Sequence, residues 1–197
     1  QMLHIDPSEK VAIYVGRLGR GKGLDTLLQA WKIVVESRPK ARLLLLGEGN
    51  AGIPGGGAWV SVEEDMRRLS DALRIECSVD FLGRRDNVED YLIASDVFVL
   101  PSESEGMSNA LLEAMAAGLP VIVARIIAHS DIIIEAVNGM MVEQGDPDDL
   151  ARAIMTIFRD EVFAQSLGTA ARNTAISRYS FDRISQRYLE LYYSLLC

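Results

Sequence analysis

Short apolar runs alternate along the chain with longer stretches whose apolar positions recur at helical spacing. Val11–Val15, Leu43–Leu46, Val79–Leu82, Val97–Leu100 and Val121–Val123 each read as a strand. The second has no polar alternation, as a strand covered on both faces requires. Helices are expected near Leu24–Glu36, where Leu24, Leu27, Leu28 and Trp31 share a face, and near Val62–Leu73, Val88–Ala94 and Ser108–Ala117. Beyond Asp146 the period is helical throughout and divides into three helices, the last being Phe181–Leu196. This order predicts an α/β protein with a Rossmann-like, doubly wound parallel sheet, helices on both faces, each strand returning through a crossover helix. In such sheets ligands sit beyond the carboxyl ends of the strands, where the strand order reverses, so the turns after the strands are where chemistry is sought.

Length and charge narrow the picture. At 197 residues the chain fits one domain, expected over residues 11–197, behind a polar, proline-containing stretch at residues 1–10 (Asp6-Pro7-Ser8-Glu9) that reads as interdomain linker. A formal charge of -8 argues against a nucleic-acid partner, because a protein bound to phosphate backbones needs a basic stripe. Cys77 and Cys197 suggest neither a disulfide framework nor a metal cluster, and no apolar run reaches a membrane span. The expectation is a cytoplasmic protein, with membrane contact no more than peripheral, at the inner face. Gly47–Gly57 is long for a connection and reads as a mobile excursion before the helix at Val62.

Two turns carry candidate chemistry. Gly16-Arg17-Leu18-Gly19-Arg20-Gly21-Lys22-Gly23 approaches the phosphate loop of nucleotide hydrolases, but Gly23 stands where a hydroxyl would hold magnesium. The glycines are also in the wrong order for a dinucleotide fingerprint. What remains is two cations, Arg17 and Lys22, on flexible backbone between a strand and a helix, an arrangement suited to a diphosphate and also found in solvated basic turns. After the fourth strand comes Leu100-Pro-Ser-Glu-Ser-Glu-Gly-Met-Ser-Asn-Ala-Leu-Leu-Glu113, in which Ser108 is a good helix cap and Gly118 a good stop. The helix start offers free N–H groups to an anion. Glu105 lies in the loop, and Glu113 lies in the helix among apolar neighbours, where its carboxylate needs either an internal ion pair or ligand hydroxyls.

The Gly16–Gly23 turn, the spacing of Glu105 and Glu113, the segment EGMSNALLEAMAAGLPV, and Val137-Asn138-Gly139 with Gly145-Asp146-Pro147 together resemble the C-terminal domain of GT-B glycosyltransferases of family 4. The resemblance runs from about Val11 to Leu196. It implies one half of a GT-B fold that binds a nucleotide-sugar donor, a UDP- or GDP-sugar, for retaining transfer to a saccharide or lipid-linked acceptor held mainly by an N-terminal domain. On matching positions, Arg17 and Lys22 would hold the donor diphosphate, helped by backbone N–H groups of Gly106, Met107, Ser108 and Asn109. Glu105 would face the transferred sugar, Glu113 would bind the ribose, and Arg84 and Arg85 would border the base, mainly through backbone. No cofactor and no metal is implied. Three other readings are carried: a GT-B sugar-nucleotide epimerase, a nucleoside-triphosphate hydrolase, and a non-catalytic nucleotide-binding module.

One segment departs from the family pattern. Where members carry a Gly-Gly turn, this chain reads Ala124-Arg125-Ile126-Ile127-Ala128-His129-Ser130-Asp131, about one residue shorter, and His129 is expected at the surface. Asp146-Pro147-Asp148 mimics a metal-binding Asp-x-Asp but sits where an aspartate cap and an N1 proline would start a helix. In the family the last helix packs on the other domain, so apolar residues of Tyr188–Leu196, among them Tyr192, Leu195 and Leu196, are expected to be exposed and to favour self-association.

Overall fold

The computed structural model describes residues 6, 8–49 and 62–196, with the side chain of Leu196 outside that description. Most of the expected linker and residues 50–57 of the expected excursion therefore lie outside the described residues. Six strands, β1 (Val11–Val15), β2 (Arg42–Leu46), β3 (Val79–Gly83), β4 (Val97–Leu100), β5 (Val121–Ala124) and β6 (Met140–Val142), form one parallel sheet in the order β3-β2-β1-β4-β5-β6. The order reverses between β1 and β4, as expected of a doubly wound sheet.

The four inner strands are apolar because both their faces are covered. Val11–Tyr14, Leu43–Leu46, Val97–Leu100 and Val121–Ala124 are all buried. Helix α1 (Leu24–Ser37) packs with α2 (Val62–Leu73) and α6 (Pro147–Arg159) in one layer. Helices α3 (Val88–Ile93), α4 (Asn109–Ala116) and α7 (Glu161–Thr174) pack together in the other. The predicted face of α1 is the buried one, and Trp31 from it meets Phe158 of α6 edge to face, ring centroids 6.4 Å apart. Its indole N–H donates to Ser78 Oγ at 3.1 Å, so the ring is buried without stranding its polar atom.

Three features go beyond the pattern read from the chain. β6 is only three residues long and acquires its identity from pairing with β5, through Ile122↔Met140, Met141 beside Val123, and Ala124↔Val142. A short helix, α5 (Ile127–Ser130), follows β5, and a π-helical turn at Ala175–Tyr179 separates α7 from α8 (Phe181–Leu196). The Asp146-Pro147 reading is confirmed in its capping role: Asp146 Oδ1 accepts the Asp149 N–H at 3.0 Å and Pro147 opens α6. On α8, Tyr188, Leu189, Tyr192, Tyr193 and Leu195 are exposed. The expectation for Leu196 falls on a side chain outside the described residues. No described helix is long and apolar enough to cross a membrane.

Candidate functional site

The site is where the turns after β1 and β4 meet, at the reversal of strand order. The β1 turn is tied down first by backbone: Gly16 N–H donates to Leu46 O and Leu18 N–H to Glu48 O, both at 2.9 Å. The Tyr14 hydroxyl, buried at the end of β1, donates to Arg17 O at 2.9 Å. Burial, with the negative charge of Glu105 as a second cause, raises the pKa of that phenol, so it remains a neutral donor. The two turns are then joined by Glu103 N–H donating to Gly21 O at 2.9 Å.

Gly23 shows how close the approach is. Its backbone is left-handed, φ 63°, and a Cβ there would stand 2.1 Å from Pro101 O. Gly47, after β2, is equally constrained, since its Cβ would stand 1.8 Å from Gly16 O. Glycine is thus required by two backbone contacts that bring three strand ends together.

Across this junction Lys22 Nζ donates to Glu105 Oε1 at 2.7 Å. The side chains are 20% and 13% exposed, so the pair is mostly withdrawn from water but still open on one side. Arg17 is exposed and makes no ion pair among the described residues, leaving its charge available beside the pair. Ser108 caps α4 as expected, its Oγ accepting the Leu111 N–H at 3.3 Å. No described protein acceptor takes the N–H groups of Gly106, Met107 or Asn109. The positive end of α4 therefore opens toward the same loop that carries Glu105.

Other expected site residues lie less centrally. Arg84 is exposed and Arg85 half-buried just past β3, with Arg85 Nε buried and unpartnered. Glu113 was expected among apolar neighbours, with an internal ion pair as one outcome. It is instead on the exposed side of α4, with no hydrogen bond or ion pair among the described residues, because α4 buries Leu111, Ala114 and Met115.

His129 requires a correction. It is not at the surface: it is 1% exposed, with Nδ1 at 2.7 Å from Ala124 O and Nε2 buried without a partner among the described residues. The cause is the turn of α5, which carries His129 inward beside the buried Ile132 and Ile133 while Ile127 points out. Burial lowers the pKa of the imidazole below the usual value. The unfolded chain then binds the extra proton, so stability is complete above about pH 6.5 and lost as pH falls through the window between that value and the lowered one. The thermal midpoint is expected to drop as pH falls below the ordinary imidazole value, and His129→Leu to flatten that drop. An equal pH dependence in both proteins would dismiss this contribution. The signal in the sequence was the apolar frame around His129, Ile126-Ile127-Ala128 before it and Ile132-Ile133 after.

The profile of the glycosyl transferases group 1 family matches residues 1–174. The chain belongs to that family. Among its relatives, the N-acetyl-alpha-D-glucosaminyl L-malate synthase of Bacillus anthracis is 32% identical over 193 residues, which are 98% of this chain and 47% of that enzyme. Sucrose-phosphate synthase from Thermosynechococcus elongatus superposes with a TM-score of 0.83 at 29% identity, over 96% of this chain and 46% of that one. Anabaena HepE in complex with UDP-glucose has the same fold, with a TM-score of 0.85 at 24% identity over 95% of this chain and 49% of that one. The chain spans about half the length of the relatives it matches. Its sheet is thus the Rossmann-like α/β unit of the GT-B glycosyl transferases group 1.

Proposed function

We propose that this chain is the donor-binding, C-terminal half of a retaining glycosyltransferase of family 4, residues 11–197 forming the domain and residues 1–10 its linker. Transfer would run from a UDP- or GDP-sugar to a saccharide or lipid-linked acceptor, in the cytoplasm or at the inner face of a membrane. The observation that carries the proposal is the Lys22–Glu105 pair at the switch point, with helical N–H groups and an Arg17 that have no partner among the described residues. UDP-glucose in the HepE complex supports a nucleotide-sugar as the ligand class.

Each residue type answers one demand of the reaction. Breaking the bond between sugar and diphosphate leaves negative charge on the phosphate oxygens and develops positive charge on the sugar ring. Lys22, Arg17 and the N–H groups of Gly106–Asn109 would stabilise the first. The Glu105 carboxylate would face the second. Glu113, without a hydrogen bond or ion pair among the described residues, would take ribose hydroxyls, and the backbone at Arg84 and Arg85 would border the base. On arrival of the diphosphate the Lys22 ammonium exchanges an internal carboxylate for an external phosphate, which releases Glu105 to the sugar.

Calorimetric titration with UDP and GDP, with and without magnesium, tests the assignment. Lys22→Ala is expected to weaken binding by about 1.5–3 kcal/mol, the range for a hydrogen bond to a charged group, and the exposed Arg17→Ala by less. Unchanged affinity in both variants would reject the diphosphate site, and strictly magnesium-dependent triphosphate binding would favour a hydrolase.

A further inference from the structure

Strand β1 reads Val-Ala-Ile-Tyr-Val, and its one polar side-chain atom is the Tyr14 hydroxyl, carried on a ring that is fully buried. Phenylalanine would fill the same space with no polar atom to satisfy. The use of the hydroxyl is local: it donates to Arg17 O at 2.9 Å, and among the described residues no second donor takes that carbonyl. The ring passes close under the turn, since a Cβ on Gly16 would stand 2.9 Å from the hydroxyl oxygen.

Arg17 C=O and Leu18 N–H belong to one peptide plane, and that plane is held at both ends. Tyr14 holds the carbonyl, while the Leu18 N–H donates to Glu48 O at 2.9 Å. One residue earlier, Gly16 N–H donates to Leu46 O, also at 2.9 Å. The Leu18 side chain is completely buried and that of Arg17 is exposed, so the fixed backbone sends the arginine outward. Lys22 depends on a different brace. Glu103 N–H holds Gly21 O at 2.9 Å, and the lysine's own ammonium is bonded to Glu105. The two cations of the turn are therefore anchored separately, Arg17 from β1 and β2, Lys22 from the β4 loop.

We propose that Tyr14 is a positioning residue for Arg17, its hydroxyl locking the Arg17–Leu18 peptide so that the guanidinium meets the ligand diphosphate from a backbone already in place. An arginine on a loose turn would lose that backbone freedom on binding, and a turn ordered beforehand does not. The diphosphate as ligand rests on the function proposed above. The lock on the peptide does not.

Tyr14→Phe removes one oxygen and leaves the buried ring. By calorimetry the variant is expected to bind UDP about fivefold more weakly, the size of one net hydrogen bond. In an Arg17→Ala background the same change should cost less than about twofold, because the residue being positioned is gone, whereas in a Lys22→Ala background the full loss should persist. The peptide itself is read without ligand by NMR, from the Leu18 amide nitrogen, whose shift follows hydrogen bonding at the carbonyl attached to it. That resonance should move in Tyr14→Phe, and the Leu18 amide should exchange faster with solvent. Equal losses in the two backgrounds, or a Leu18 amide indifferent to the hydroxyl, would overturn the inference. So would a Tyr14→Phe protein that does not fold, since the hydroxyl would then serve the whole domain and not Arg17. Should the parent protein bind neither UDP nor GDP, the proposed function fails, and the Leu18 amide still decides whether Tyr14 locks the turn.

Discussion

Gly23→Ala is expected to cost about 3–5 kcal/mol of stability and to abolish nucleoside-diphosphate binding with it. A left-handed alanine by itself costs about 1–2 kcal/mol. The larger part is collision: the new methyl would lie 2.1 Å from Pro101 O and 2.8 Å from Pro101 C, backbone atoms that cannot swing aside as a flexible side chain would. Relief by local movement is opposed from both directions. Leu27 N–H holds Gly23 O at 2.9 Å at the start of α1, and Glu103 N–H holds Gly21 O across the two turns. The turns after β1 and β4 must separate, and the Lys22–Glu105 bond spans that separation. Gly106→Ala is the control, because a Cβ there meets nothing within 4 Å. It should stay within about 0.5 kcal/mol of the parent by chemical denaturation. A Gly23→Ala protein as stable as Gly106→Ala would show that the two turns are not braced against each other.

Glu105→Gln is expected to separate binding from transfer. In the enzyme assembled with the second domain, turnover should fall by about 10²–10³-fold, the magnitude seen when one pre-placed electrostatic group is removed from a reaction centre. Diphosphate affinity should hold or rise, because the variant frees Lys22 from its carboxylate, bonded at 2.7 Å in this state, before any phosphate arrives. Lys22→Ala has the opposite signature, losing affinity first. The opposed signs make the experiment decisive for the division of labour: a Glu105→Gln enzyme that loses affinity while keeping its turnover would assign the carboxylate to binding and leave the sugar without its proposed partner. Calorimetry on the diphosphate and initial rates at saturating donor measure the two quantities separately.

The fold was legible along the chain because its strongest elements bury whole faces. Val11–Val15 and Val97–Leu100 were read with the bounds they have, and the buried face of α1 was read residue by residue, since apolar periodicity and burial are the same constraint seen twice. β6 escaped because three residues of Met-Met-Val carry no period; only the hydrogen bonds to β5 make them a strand. The exposure of Glu113 escaped for a related reason, as a single polar residue between apolar ones in sequence can still fall on the solvent side of a short helix.

By itself, the sequence determined the class of sheet, the turns in which cations and carboxylates would lie, and the caps of α4 and α6, all of which depend on neighbours a few positions away. Tertiary structure decided what those groups do to one another. The Lys22–Glu105 bond joins residues 83 positions apart, and Gly23 is irreplaceable because of Pro101, a contact invisible from either turn alone. His129 shows the same division most plainly: its surroundings in sequence are ambiguous, and the inward turn of α5 buries it and bonds its Nδ1 to Ala124 O. Local patterns encode which backbone forms; charge pairing, desolvation and close backbone approach depend on distances that exist only once the strand ends have been brought together.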